Sequence, residues 1–191
     1  MSELKDRIIG QIVADFYDKR IMSNLVRAHY VERMIAQCLG EGWNLVSADW
    51  SGWDLQNSEG VRAEVKQSAA LQTWTDQPSL AGRPTRGRFD IAPRTGYWTD
   101  AGSRWIDMSG RLADLYVFGW QPITDRARAD HRDPDQWVFY VVPEAELPPN
   151  QKTIGQRSLD RRWSPVTFEE LEQAVLVAVA QLQTTKAAME R

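Results

Sequence analysis

The sequence predicts an α/β fold in which a mixed β-sheet is flanked by helices. Amphipathic helical patterns lie near both ends of the chain, and a series of strand patterns lies between them. This order, helices, then strands, then a helix, is typical of a mixed sheet. With 191 residues, 42% of them hydrophobic, and no repeat or linker, the chain fits one domain spanning residues 1–191.

Two helices are expected at the N-terminal end. Apolar residues at helical spacing predict the first from about Glu3 to Lys19, and the second runs from Ser23 or Asn24 to about Leu39. A carboxylate on a buried helix face is costly unless it is paired, and the second helix carries Glu32 on its predicted inner face. We therefore expect Glu32 to pair with an arginine, to reach water on a rotated helix, or to reach the hairpin described below and join a metal site there. The other residues of that predicted face are Leu25, Ala28, Ile35 and Leu39.

Strand patterns fill the middle of the chain. Gly42–Val46 and Arg88–Ala92 each predict a strand, and Pro93–Gly110 fits either a hairpin or an ordered loop. Ala113–Trp120 and Gln136–Val142 are apolar on both faces for much of their length. This composition is typical of central strands in a sheet that is covered on both sides.

The last helix is expected over Pro165–Leu182. Thr167 is in position to cap it, and Glu169 and Glu170 lie near the positive end of its dipole. Before this helix, Gln151–Leu159 fits an irregular segment or a short strand. The predicted inner face of the helix consists of Leu171, Val175, Val179 and Leu182.

The stretch from Trp53 to Gln67 predicts a tight β-hairpin. A three-residue loop would end on Gly60, which takes the left-handed conformation that such loops need. This register places Asp54 directly opposite Glu64, and opposed residues share a face of the sheet. Lys66, two residues further on, lies on the same face. A four-residue loop would instead separate Asp54 from Glu64.

The reverse face of the hairpin supports the three-residue loop. In that register Leu55 pairs with Ala63 and Trp53 pairs with Val65, so apolar residues gather on one face and polar residues on the other. Asp49 is a competing acid. It lies in a connection flanked by serine and glycine, so we rank it below Asp54.

Few residue types are available to hold a metal ion. Cys38 is the only cysteine, and His29 and His131 are the only histidines, so cysteine clusters and histidine-rich sites are excluded. A metal here should be a hard cation with oxygen ligands, such as Mg²⁺. The single cysteine, the absence of a secretory signal pattern and the lack of an apolar run of about 18 residues lead us to expect a cytoplasmic protein without membrane association.

The net charge argues against nucleic-acid binding, whereas the local distribution of charge is compatible with it. The net charge is −3, yet the segment from Arg83 to Arg132 holds nine arginines and six aspartates, a local net charge of +3. Either a basic groove or a set of ordinary solvated arginines fits this pattern. Most of the nine tryptophans are expected in the core, and Trp98 and Trp105 are the best candidates for base stacking because they lie in polar sequence.

The hairpin carries a resemblance to a known superfamily. Asp54, nine intervening residues and then Glu64-Val65-Lys66 resemble the D…(D/E)-x-K signature of the PD-(D/E)xK, or restriction-endonuclease-like, superfamily. The order of helix, strand and hairpin is also similar, although Trp53 stands where many members have proline. The segments EVKQSAALQTW, ADLYVF and DQWVFYVVP resemble an uncharacterised bacterial group within that superfamily.

The resemblance implies a metal-dependent, endonuclease-like phosphodiesterase that uses Mg²⁺ or Mn²⁺ and acts on a nucleic acid, with DNA as the expected substrate. Asp54 and Glu64 would be metal ligands, the Val65 carbonyl a third, and Glu32 a further ligand directly or through water. Lys66 would hold or deprotonate the attacking water or stabilise the transition state. Substrate contacts are expected from Gln67, Arg83, Arg86 and Arg88.

Alternatives remain open at this stage. The same fold could serve as a non-catalytic module that binds nucleic acid or protein, and the acids with Lys66 could form an ordinary surface salt bridge of little energetic value. An unrelated soluble α/β domain would require the hairpin pattern to be a coincidence. A homodimer is a reasonable expectation for the nuclease because cutting both strands requires two sites.

Overall fold

The computed structural model of the protein describes residues 2–46, 51–76, 84–99 and 103–189. The helices of this part are α1 (Ser2–Tyr17), α2 (Asn24–Leu39), α3 (Gln156–Arg162) and α4 (Phe168–Met189). The first six strands are β1 (Trp43–Leu45), β2 (Leu55–Asn57), β3 (Arg62–Ala69), β4 (Arg88–Asp90), β5 (Arg94–Thr99) and β6 (Arg104–Gly110). The last three are β7 (Leu115–Gln121), β8 (Val138–Pro143) and β9 (Thr153–Gly155). Asp49 lies outside the described residues.

A five-stranded mixed sheet forms the centre of the fold, in the order β1-β2-β3-β7-β8. Strands β3 and β7 are parallel, and the other neighbours are antiparallel. Two small antiparallel pairs, β4 with β9 and β5 with β6, accompany it. The predicted α/β class, with a mixed sheet flanked by helices, is confirmed.

Both faces of the sheet are covered. Helices α2 and α4 pack on one face through a cluster that includes Val31, Ile35, Val65, Val117 and Leu171. On the other face, β4, β9 and α3 pack through a second cluster that includes Phe89, Phe118, Tyr140, Ile154 and Leu159. In the described part of the chain, no helix is both long enough and apolar enough to cross a membrane.

The two long apolar strands differ in their positions. All residues of β7 are buried, and β7 lies between two other strands, as the sequence predicts. The prediction that the second segment is central is wrong, because β8 is the edge strand of the sheet in the described part of the chain. Its burial comes from α4 and from a bridge in which Phe139 and Val166 exchange backbone hydrogen bonds.

The hairpin has the predicted three-residue loop. Leu55 pairs with Ala63, as expected for the register that faces Asp54 toward Glu64. Gly60 has a φ of 80°, so the loop depends on the left-handed conformation that glycine adopts without steric cost.

The prediction that Trp53 pairs with Val65 on the apolar reverse face is wrong. The chain bends at Asp54, just before β2, and this bend interrupts the alternation of side chains along the strand. Trp53 therefore packs on the opposite face, where its ring centre lies 5.4 Å from that of Tyr97 and its Nε1 donates to Gln56 Oε1 at 3.0 Å. Val65 lies in the other core cluster.

Helix α2 has the predicted bounds but a different rotation. Leu25, predicted to face the core, is 69% exposed, whereas Val26 and Arg27 are buried. Tertiary packing against β1 and β3 sets this rotation, and it moves Glu32 to the partly exposed margin of the helix. This position, with the Glu32 side chain 14% exposed, fits both the interpretation that a rotated helix brings it near water and the interpretation that it joins the site of the hairpin acids.

Candidate active site

The hairpin acids and lysine meet in an open cavity of about 510 Å³. Asp54 lies immediately before β2, and Glu64 and Lys66 lie on β3. Strand β2 begins only after the bend at Asp54, and Glu32 of α2 lines the same cavity. The structure thus brings together the four side chains that the sequence predicted as catalytic.

Asp54 is the most strongly perturbed acid of the cavity. Burial, together with the nearby Glu64 and Glu32 carboxylates, raises its pKa to about 7, although Lys66 acts in the opposite direction. Its carboxylate also accepts a hydrogen bond from the Val65 N–H at 2.7 Å. Since the N–H and C=O of a strand residue project to the same side, the Val65 carbonyl faces this edge as well.

Glu64 is buried and ion-paired. It is 3% exposed, and its Oε1 accepts hydrogen bonds from Lys66 Nζ and, at 3.0 Å, from Arg94 Nη2. The pair with Lys66 was the alternative interpretation of the motif, but it lies inside a cavity and not on the surface. The partners are more exposed than the acid, with Lys66 22% and Arg94 43% exposed. Desolvation of the buried carboxylate offsets much of the attraction, so the ion pairs alone do not account for the burial of Glu64.

Glu32 shares the cavity without completing a ligand cluster. Its side chain is 14% exposed, and His29 Nδ1 lies 3.8 Å from its Oε2. Within the described ranges, no three His, Cys, Asp or Glu side chains form a group that could hold a metal by themselves. A cation held by Asp54 and Glu64 would therefore draw its other ligands from backbone and water.

Sequence reasoning missed two arginines of the site. Arg94, on β5, reaches Glu64 from a strand that follows the hairpin by thirty residues, and no local signal marks it. Arg27 lines the cavity from α2 and is 1% exposed. In the sequence, Arg27 is a basic residue next to Val26, and both lie on the buried face of α2. This position is recognisable only once the rotation of α2 is known.

The predicted substrate-binding residues lie around the cavity where the structure describes them. Gln67 is half-buried beside Lys66, and Arg86 and Arg88 are exposed on its rim. Arg83 lies outside the described residues.

Trp74, which sequence reasoning did not single out, also lines the cavity and is 40% exposed. Trp98 and Trp105 pack edge to face on the β5–β6 hairpin, with ring centres 5.5 Å apart, and are not among the described residues that line the cavity. Their role in base stacking stays a prediction.

Comparisons with known proteins give little further information. No protein-family model matches the chain, and no curated protein matches it. Among solved structures, the bacterial homing endonuclease I-Ssp6803I aligns with 88% of this chain and 99% of its own, at 18% identity and a TM-score of 0.40. At this TM-score the likeness shows neither a shared fold nor a shared activity.

Proposed function

We propose that the chain is a metal-dependent nuclease that hydrolyses phosphodiester bonds, with DNA as the expected substrate and Mg²⁺ or Mn²⁺ as the metal. The observation that carries this proposal is the convergence of Asp54, Glu64 and Lys66 in one cavity, with the pKa of Asp54 raised to about 7. Acids held together against their mutual repulsion are typical of sites built for a cation.

The donor set fits a hard divalent cation. Carboxylate and carbonyl oxygens are the ligands that Mg²⁺ prefers, and Asp54, Glu64 and the Val65 carbonyl supply them. A cation here would offset the repulsion between the Glu64 and Asp54 carboxylates, which raises the pKa of Asp54. Glu32 would bind the cation through a water molecule. When bound, such an ion acts as a Lewis acid and lowers the pKa of a coordinated water.

Lys66 is the residue that we assign to proton and charge handling. Its ammonium group donates to Glu64 in the cavity. In that position Lys66 can hold the attacking water, take up a proton from it once the side chain is the neutral amine, or stabilise negative charge at phosphorus as the ammonium. The three roles need the same position, beside the two carboxylates. The D…E-x-K spacing, which resembles the PD-(D/E)xK signature, supports the same assignment.

Positive charge around the cavity supports a polyanionic substrate. Arg86, Arg88 and Arg94 line it, while the whole chain has a net charge of −3. Phosphate contacts of this kind position a nucleic acid without selecting its sequence. Trp74 adds an aromatic surface on which an unpaired base can stack.

A second candidate function is a non-catalytic nucleic-acid-binding module. Glu64 already has two cationic partners, Lys66 and Arg94, and these would compete with a metal ion for its oxygens. In that case the cavity would bind the nucleic-acid backbone and leave it intact.

A cleavage assay separates the two functions. Single-stranded DNA, duplex DNA and RNA are incubated with the wild type, Glu64→Gln and Lys66→Ala, each with Mg²⁺, Mn²⁺ or a chelator. We expect wild-type cleavage that needs the metal, and a loss of at least roughly 100-fold in each variant. Asp107→Asn is the control, because Asp107 is an exposed acid on β6. Equal cleavage by all the proteins would end the catalytic assignment.

A further inference from the structure

Arg27 is a buried cation that lines the candidate active site, and no described acidic residue pairs with it. It lies in the first turn of α2, is 1% exposed and lines the cavity. In the part of the chain that the structure describes, Arg27 forms no salt bridge. Its Nε, Nη1 and Nη2 donate to side-chain oxygens of neutral residues, namely Gln67, Gln72 and Asn24.

Burial of the Arg27 guanidinium costs free energy, which an anionic ligand would offset. Burying a guanidinium without a counter-charge is unfavourable, and burial lowers the pKa of Arg27 to about 10. The three amide oxygens hold the plane of the group but use only three of its five N–H donors. The two others have no acceptor among the described residues, and Arg27 lines the cavity. The positive end of the α2 dipole lies at the same place and favours negative charge.

We propose that Arg27 binds a phosphate group of the nucleic acid next to the one that is cleaved. This inference rests on the proposed function, because the ligand is part of the same substrate. Gln67 then acts as a positioning residue: its Oε1 accepts from Arg27, and its Nε2 donates to Asn24 Oδ1 at 3.0 Å. An arginine suits this task better than a lysine because its planar donors match two phosphate oxygens.

Binding without cleavage tests this role separately from catalysis. The affinity for fluorescently labelled single-stranded and duplex DNA is measured by anisotropy in the presence of a chelator, over a range of salt concentrations. We expect Arg27→Gln to weaken binding by roughly 10- to 100-fold and to reduce the slope of log K against log[salt] by about one. Arg33→Gln, an equal charge change at an exposed position of α2, should change neither.

The result that overturns the inference is a folded Arg27→Gln protein with wild-type affinity and slope. If Arg27→Gln does not fold, Arg27→Lys decides: it keeps the charge, so we expect an unchanged slope with weaker binding, and wild-type affinity would refute the role. A wild type that binds with the Arg27-dependent slope but never cleaves supports this inference and refutes the nuclease. A wild type that cleaves, together with an Arg27→Gln protein that binds normally, supports the nuclease and refutes this inference.

A second, independent inference concerns α1. All its side chains from residue 3 to residue 16 are exposed. An isolated helix of this length is marginal in water, and Gly10 in its interior weakens it further. The large apolar side chains on it are each close to half exposed: Leu4, Ile8, Ile9, Ile12, Val13 and Phe16. A helix of this kind needs a partner surface.

The sequence of α1 is complementary to itself in an antiparallel arrangement. When Ile8 of one copy faces Ile12 of the other, Leu4 faces Phe16. In the same register Lys5 of each copy faces Asp15 of the other, so two salt bridges would form across the twofold axis. A parallel pair would instead bring Lys5 against Lys5. We infer that α1 joins two copies of this chain as an antiparallel helix pair.

Light scattering after size-exclusion chromatography tests the pairing at micromolar concentration. The expected mass is that of two 21.9 kDa chains. Lys5→Asp alone and Asp15→Lys alone should each shift the protein toward monomer, and the double reversal should restore the dimer. Arg7→Glu, on the polar side of the helix, is the control. A monomeric wild type, or a double reversal that restores nothing, would overturn the inference.

Discussion

Raising the pH is expected to destabilise the metal-free protein through Asp54. Burial, Glu64 and Glu32 raise the pKa of this carboxyl from 3.8 to about 7 in the folded chain. In the unfolded chain the pKa is ordinary. Between these values the folded state keeps the proton and the unfolded state has lost it, so the free energy of unfolding falls as the pH rises. The contribution is fully present below about pH 4 and is lost above about pH 7.

The size of the effect follows from that interval. At about 1.4 kcal/mol per pH unit, the interval from 3.8 to about 7 corresponds to at most about 4 kcal/mol. Asp54→Asn removes the titrating group and keeps its shape. The variant should therefore match the wild type near pH 4 and be more stable than the wild type at pH 8, by up to about 4 kcal/mol.

Urea unfolding followed by tryptophan fluorescence measures this difference at both pH values in the presence of a chelator. Asp107→Asn removes an exposed acid and should not change the pH dependence. Adding Mg²⁺ at pH 8 should stabilise the wild type by mass action and leave Asp54→Asn unaffected. An Asp54→Asn protein no more stable than the wild type at pH 8 would refute the electrostatic account of the site.

Two further substitutions test the surroundings of the site. A Cβ on Gly96 would lie 2.3 Å from Trp105 Cζ2 and 2.4 Å from the Ile106 carbonyl oxygen. Gly96→Ala should therefore destabilise the protein by about 1–3 kcal/mol, measured by thermal unfolding. An unchanged unfolding midpoint would contradict the packing of β5 on β6. Trp74→Ala should weaken binding of single-stranded DNA by roughly 1–3 kcal/mol in an anisotropy titration, and an equal loss in Trp98→Ala would show that stacking is not specific to the cavity.

The hairpin was predictable because its determinants are local. The length of the loop and the left-handed Gly60 fix the register, and the register fixes the relation of Asp54 to Glu64. Trp53 was placed on the wrong face because the prediction assumed strict alternation, and the bend at Asp54 breaks it. An irregular residue at the end of a strand leaves no periodic signal in the sequence.

The arginines of the site were not predictable because contacts distant in sequence bring them there. Arg94 meets Glu64 only when β5 folds back over the hairpin. Arg27 faces the cavity because packing against the sheet rotates α2 away from the phase that Leu25 suggested. Hydrophobic spacing predicts that a helix has an inner face, but the surface it packs against decides which residues form that face.

The most direct test of the site is a calorimetric titration of Mn²⁺ into the wild type, Asp54→Asn and Glu64→Gln near pH 7. We predict one ion per wild-type chain, with release of protons because Asp54 is partly protonated at this pH. Both variants should lose the binding, and Asp107→Asn should keep it. Equal binding by the wild type and Asp54→Asn, or no binding by the wild type, would contradict a metal centre at the hairpin.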